Sequence, residues 1–425
     1  MKKLWVQPHR AAMSYKLPCG FRFAGLHCGI GARGKKDLAL FYSTAPCVAA
    51  GVWTRNRIKA APVLVSSKNI KNKVHAIIAN SGCANACTGD RGMKDAQEMC
   101  SVTAGMLGVR PGNVLVASTG VIGKYLPMDN VRRGIRKITA GIKNVTGGMA
   151  GMHSPNVTVE PAGKRSPVDA VRAIMTTDTV VKVAGAEIRM KGKPVRIWGC
   201  VKGAGMIHPD MATLLCFIFT DAAVSGRVLA PALRKVVSKT FNCMSVDGDT
   251  STNDTVFLLA NGLAGNKTID RPDGADFNRF YHSIENVCRE LAKMVAADGE
   301  GATKFITIKV SSAGNYSDAK KVASAVATSP LVKTAMFGED PNWGRIVACV
   351  GRSGVKINPG RLKISINGHE VAAGCSSGCT SNMKKELSRR EIEIGISLGA
   401  GSAGVEYYTC DLSYGYIKIN ADYTT

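Results

Sequence analysis

Several absences limit what this sequence can be. No stretch approaches the roughly 20 uninterrupted apolar residues that span a bilayer; the best run, Leu214 to Phe219, stops at Thr220 and Asp221. Lys2 and Lys3 are followed by Gln7, His9, Arg10 and Lys16 rather than by the apolar core of a signal peptide, so a soluble, cytoplasmic protein with no membrane partner is expected. Aromatics are only 6% of residues, with no basic–aromatic array, zinc-finger spacing or helix-turn-helix pattern, which argues against a nucleic-acid partner. There is no GxxxxGK[ST] and no HExxH. The seven histidines are scattered, which leaves a Ser/His/Asp triad little support.

Cysteine is not scarce, at 14 residues, but it lacks the dense spacing of a disulfide-stapled domain and reads as reduced thiols. The pairs Cys83/Cys87 and Cys375/Cys379 lie in small-residue runs without paired histidines, so no metal site is expected.

What is present is a globular composition, 45% hydrophobic and 20% charged over 425 residues, enough for two or three domains or one large α/β body. The net charge of +25 is uneven: residues 1–212 hold 32 basic and 10 acidic groups, residues 213–425 hold 24 and 21. Arg132, Arg133, Arg136 and Lys137, and again Lys384, Lys385, Arg389 and Arg390, fall in helix-like stretches and read as solvated faces.

Short β-rich runs at Cys47–Trp53, Val74–Ile78, Val114–Ala117, Val195–Trp198, Leu214–Phe219, Val256–Leu259, Phe305–Val310 and Ile392–Ile396 read as strands. Helix-like segments at Lys94–Leu107, Met128–Ile142, Ala230–Cys243, Phe277–Ala296 and Asp318–Thr328 lie between them. The class is α/β (α+β). Several apolar runs are continuous rather than alternating, which predicts strands covered on both faces and a layered architecture.

The segment that stands out is Lys202-Gly-Ala-Gly-Met-Ile-His-Pro-Asp-Met-Ala-Thr213, running into the apolar strand that starts at Leu214. Gly203 and Gly205 allow close backbone approach to a ligand, and Pro209 stiffens the turn. Thr213 has two readings. Its hydroxyl can pair with the loop backbone. Alternatively it attacks the Ala212 carbonyl, moves the acyl group from nitrogen to oxygen, and is freed by ester hydrolysis as a new N-terminal threonine. The liberated α-amine, of ordinary pKa about 7.7–8.0, then serves as base for its own hydroxyl, and no histidine is needed. Acyl transfer also needs oxyanion donors, and Ser118-Thr-Gly-Val-Ile-Gly123, after a strand, offers amides and a hydroxyl; it reads equally as a structural turn.

With these residues in view, the chain resembles the ornithine acetyltransferase (glutamate N-acetyltransferase) family of arginine biosynthesis, whose hallmark is KGxGMIxPxMAT. Further blocks carry the resemblance from end to end: Asn80-Ser-Gly-Cys-Ala-Asn-Ala-Cys-Thr-Gly89, Ser118–Gly123, Met175-Thr-Thr-Asp-Thr179, Ser245-Val-Asp-Gly-Asp-Thr-Ser-Thr-Asn-Asp254, Asp298-Gly-Glu-Gly-Ala-Thr-Lys304, Gly338-Glu-Asp-Pro-Asn-Trp-Gly-Arg345 and Ile419-Asn-Ala-Asp-Tyr-Thr-Thr425. Cys83, Cys216, His208 and Asp210 are departures that remove no catalytic group.

The resemblance implies layered sheets and helices of the ornithine acetyltransferase/DmpA-like type. It implies self-cleavage between Ala212 and Thr213 into interlocked α (1–212) and β (213–425) chains, assembled as an α2β2 heterotetramer. It implies transfer of acetyl from N2-acetylornithine through Thr213 to glutamate, with no cofactor or metal and with acetyl-CoA as an alternative donor in some members. Thr119 and Gly120 would form the oxyanion hole. Thr176 (with Thr177 adjacent), Lys202, Thr213, Glu300, Asn420 and Thr425 would contact substrate, Lys202 suiting a carboxylate and Glu300 the ornithine ammonium. A self-processed aminopeptidase or amidase is the alternative, since water can replace glutamate in the same chemistry.

Overall fold

The computed structural model describes residues 15–31, 34–143, 166–208, 214–374, 376–378 and 383–422. One mixed sheet contains β1 (Phe21–Leu26), β2 (Leu38–Trp53), β3 (Val74–Asn80), β4 (Val114–Ser118), β5 (Lys182–Met190), β6 (Lys193–Lys202), β7 (Leu215–Thr220) and β8 (Thr255–Ala260). Its order is β4-β3-β2-β8-β7-β6-β5, with β1 on β2; β3–β4 and β7–β8 are parallel and the other pairs antiparallel. A second sheet, ordered β12-β11-β10-β13-β9-β14, comprises β9 (Phe305–Ala313), β10 (Lys363–Ile366), β11 (His369–Ala373), β12 (Ser376–Ser377), β13 (Glu391–Ser397) and β14 (Ala403–Cys410).

The continuous apolar runs have the predicted cause. Along β7, Leu215, Phe217 and Phe219 enter an aromatic layer with Phe41, Trp198 and Phe257, while Cys216 and Ile218 point to the opposite layer. Side chains alternate across a strand, so a strand buried on both faces has no polar face to show. Phe217 stacks on Phe257 with ring centroids 5.7 Å apart.

Helices α1 (Ala61–Asn69), α2 (Gly89–Leu107) and α3 (Met128–Lys143) cover the β3–β4 end, and α4 (Pro167–Ile174) closes the aromatic layer. On the other face lie α5 (Gly226–Lys239) and α6 (Gly274–Ala297), whose Leu229, Leu233, Ile284 and Leu291 pack on Ile218 and Leu258. The second sheet packs against α7 (Tyr316–Ala327), α8 (Pro330–Phe337), α9 (Trp343–Gly351) and α10 (Met383–Leu387); α11 (Tyr414–Asp422) is a surface helix near the C-terminus. The composition break at residue 212 does not divide the sheet: β6 pairs with β7, and β2 sits between β3 and β8.

Two sequence expectations are corrected. Arg389 and Arg390 are not helical, because α10 ends at Leu387 and the Arg390 carbonyl is already taken by the Phe305 amide at 2.8 Å as β13 begins beside β9. The helix expected over Ala230–Cys243 starts earlier, at Gly226, and stops at Lys239, where a 3-10 turn, Phe241–Cys243, follows. Among the described residues no helix is long and apolar enough to cross a membrane.

Candidate active site

Three sequence blocks distant along the chain meet at the end of β4. Ser118 Oγ donates to Asn80 Oδ1 at 2.7 Å, and Asn80 Nδ2 donates to the Cys83 carbonyl at 2.9 Å. Asn253 Nδ2 donates to the carbonyls of Ala84 (2.7 Å) and Ser118 (2.8 Å), tying the 80–89 and 118–123 loops to the start of β8. Gly120 has φ +129°, and a Cβ there would lie 2.4 Å from the Gly82 carbonyl carbon and 2.6 Å from the Cys83 nitrogen, so only glycine permits this approach.

These contacts decide which donors remain for an oxyanion. The Thr119 amide is committed to the Asn80 carbonyl at 3.0 Å. The Thr119 hydroxyl accepts from Lys202 Nζ at 2.9 Å, which leaves the hydroxyl hydrogen available to the cavity. The Gly120 N–H has no partner among the described residues. The sequence suggested amides and a hydroxyl; of these, the Thr119 hydroxyl hydrogen and the Gly120 N–H are left uncommitted among the described residues, and the Thr119 amide is not.

Thr119, Gly120, Thr176, Thr177, Lys202, Glu300 and Asn420 all line one cavity, whose wall also includes Gly205, Met206, Asp247, Asp249 and Tyr416. Lys202 ends β6 and is 2% exposed. Burial pulls its ammonium below the usual lysine range and Lys182 adds repulsion, against the opposing pull of Asp178, Asp254 and Glu300. Glu300 is 9% exposed; its amide donates to the Ala204 carbonyl at 2.8 Å, and its Oε2 accepts from Asn420 Nδ2 at 2.9 Å. A Cβ on Gly205 would come within 2.4 Å of that carboxyl. Asn420 reaches the cavity because α11 lies over it, so this stretch of the C-terminal segment is part of the wall.

Ala212, Thr213 and Thr425 lie outside the described residues. The chain resumes at Leu214, whose amide donates to Asp254 Oδ1 at 3.1 Å. The other oxygen of Asp254 is buried with no hydrogen-bond partner among the described residues, and burial pushes this carboxyl well above the usual range. Asp247 accepts from the amides of Met206 (2.5 Å) and Ile207 (2.8 Å), shaping the turn that follows β6; burial raises it to about 6 despite those bonds. Asp247, Asn253 and Asp254 lie in one of the family blocks, but their roles are not legible in the sequence. Their partners are some 40 to 170 positions away, and nothing in a local pattern reveals them.

No group of three or more His, Cys, Asp and Glu among the described residues could hold a metal ion. Cys83 is buried and donates to the Lys124 carbonyl, Cys87 is exposed, and Cys375 and Cys379 lie outside the described residues.

Compared with known proteins, residues 22–425 match the model of the ArgJ family. The chain belongs to the ArgJ family. It is similar to the arginine biosynthesis bifunctional protein ArgJ of Symbiobacterium thermophilum, 45% identical over 418 residues, 96% of this chain and 98% of that one. The protein of the same name from Geobacillus kaustophilus is 42% identical over 416 residues, covering 96% and 95%. A solved structure of the Bacillus halodurans ArgJ is 39% identical, with a TM-score of 0.48, and covers 49% of this chain and 98% of its own. Within this ArgJ-family chain, the blocks that carried the sequence resemblance converge on the cavity, with the exception of Gly338–Arg345, which does not line it.

Proposed function

We propose that this chain transfers acetyl from N2-acetylornithine to glutamate, yielding ornithine and N-acetylglutamate, through an acetyl ester on Thr213. As an ArgJ-family member it is an acyltransferase of arginine biosynthesis. The observation that supports this reading best is the Lys202 ammonium on the Thr119 hydroxyl, beside the uncommitted Gly120 N–H, in a cavity also lined by Thr176, Glu300 and Asn420.

In this reading, scission between Ala212 and Thr213 gives chains 1–212 and 213–425, and the new α-amine removes the Thr213 hydroxyl proton. Attack on the acetyl carbonyl places negative charge on its oxygen, which the Thr119 hydroxyl and the Gly120 N–H receive. Lys202, by donating to the hydroxyl oxygen, polarises the hydroxyl toward that charge. Ornithine leaves, glutamate's α-amine attacks the ester, and the same donors serve again, which is ping-pong chemistry. Acetyl-CoA is a second donor able to load the same threonine. No cofactor is needed. We place the enzyme in the cytoplasm as an α2β2 assembly, with Thr425 reaching substrate beside Asn420.

Product analysis tests the transfer. Incubation with N2-acetylornithine and glutamate should give N-acetylglutamate and ornithine in equal amounts. Free acetate or released peptides in their place would point to the aminopeptidase/amidase reading.

The role of Glu300 has its own test. Its buried carboxylate is the acidic group at the Asn420 side of the cavity, suited to the ornithine ammonium. Glu300→Gln should raise KM for N2-acetylornithine about tenfold or more, since a charge-assisted contact contributes about 1.5–3 kcal/mol. An unchanged KM in steady-state kinetics would remove the ammonium role.

A further inference from the structure

Behind the cavity wall lies a set of charges that the transfer mechanism does not use. Lys182, the first residue of β5, has a fully enclosed side chain and donates to Asp178 Oδ1 at 2.6 Å and to Asp298 Oδ2 at 2.7 Å. Asp178 Oδ1 also accepts from the Gly203 amide at 2.7 Å, and its Oδ2 from the Thr176 amide at 3.2 Å. Asp298 accepts from the Thr179 amide at 2.9 Å and from the Thr179 hydroxyl. Two residues after Asp298 comes Glu300, whose amide donates to the Ala204 carbonyl.

These links close a ring. It runs from Asp178 through Lys182 to Asp298, along the chain to Glu300, across to Ala204, back one residue to Gly203, and across to Asp178 again. Lys202 and Thr176 hang from one side and Glu300 from the other. We propose that Asp178 is a positioning residue of the transfer site, clamped by Lys182 and Asp298 so that this buried ring sets the spacing between the Lys202 and Glu300 ends of the cavity. The inference rests on the transferase reading above.

Stability alone is a poor account of the ring. Buried ion pairs lose on desolvation about what they gain by attraction, and well-packed apolar residues often replace them without loss. What such a cluster supplies is fixed geometry and a local field. Asp178 is the group in which both effects meet. Burial pushes its carboxyl up, but Lys182, Lys202 and the Gly203 amide outweigh burial and bring it down to about 2. The charged groups facing Lys202 are Asp178, Lys182, Asp254 and Glu300, so losing Asp178 leaves Lys202 with less compensation and losing Lys182 removes a repulsion.

The two changes therefore have opposite signs on one observable. Turnover needs a neutral Thr213 amine, which sets the acid limb of the pH profile, and a protonated Lys202, which sets the alkaline limb. In the full-length processed enzyme, Asp178→Asn should lower kcat at least about tenfold and move the alkaline limb of kcat/KM down by about one pH unit. Lys182→Met should also lower kcat, through lost positioning, but move that limb upward. Limbs that stay in place, or move the same way in both variants, overturn the proposal. Because either single change unbalances the buried charges and could prevent folding, the triple variant Asp178→Asn/Lys182→Met/Asp298→Asn, which removes all three ring charges together, is the companion measurement. It should fold and be processed, with kcat down at least about tenfold; kcat equal to that of the unsubstituted enzyme overturns the proposal. N-acetylglutamate formation by the unsubstituted enzyme is measured first, and its absence would sink the transferase reading itself, a result distinct from any of these.

Discussion

The Thr213→Ala chain should leave purification as one uncut 425-residue polypeptide, whereas the unsubstituted chain should resolve by mass into two pieces, the second beginning with Thr213. Alanine has no hydroxyl to attack the preceding carbonyl, so the acyl shift that breaks the bond cannot begin. The same absence leaves nothing to carry the acetyl group, and the amine that would have been the base stays locked in a peptide. Three functions fail together, so acetyl transfer should fall by at least about a thousandfold. An uncut chain with full activity would mean that a different group carries the acetyl.

Gly120→Ala is expected to be nearly as damaging, although the added group is a single methyl. The methyl would meet main-chain atoms of Gly82 and Cys83, which cannot rotate aside as a flexible side chain would. The backbone φ of +129° is itself one that alanine rarely adopts. Either the 82–83 segment moves away or residue 120 turns, and in both cases the Gly120 N–H leaves its aim. Loss of one oxyanion donor reduces kcat by about 10²–10³, and the strain should lower unfolding stability by about 1–3 kcal/mol. Gly105→Ala is the control, since that helical position is open around its missing Cβ and should keep full activity. Paired kcat and thermal-melt measurements would separate the two effects. Unchanged kcat in Gly120→Ala would remove this amide from the mechanism.

How much of this was legible in the sequence depended on whether the cause was local. The Leu214–Phe219 run declared a strand buried on both faces because continuous hydrophobicity is a property of neighbours. Lys202, Thr119 and Glu300 were legible only as members of family blocks; alone, each is a charge or hydroxyl beside glycines. Their junction depends on β6 ending where β4 ends, a matter of strand order. Asp178 lies in the Met175–Thr179 family block, yet its network partners Lys182, Gly203 and Asp298 come from a strand start, a loop and a helix end. The Thr119 amide looked free because its acceptor, the Asn80 carbonyl, is 39 positions earlier. Arg390 looked helical because the basic cluster around it does, and the competing demand of β13 was not visible in composition.

The placement of β7 directly between β6 and β8 bears on what the proposed processing would do to the fold. The proposed scission between Ala212 and Thr213 would sever the covalent thread but none of the strand-to-strand hydrogen bonds on either side of β7, so neither fragment would own a whole core. Dissociation and denaturation then become a single event. The cut is best made after folding, because two separate fragments would have to find each other in solution and thread strands into a half-built sheet, a bimolecular reaction where the continuous chain needs only its own collapse. Unfolding of the processed protein is accordingly expected to be far harder to reverse than unfolding of its uncut precursor.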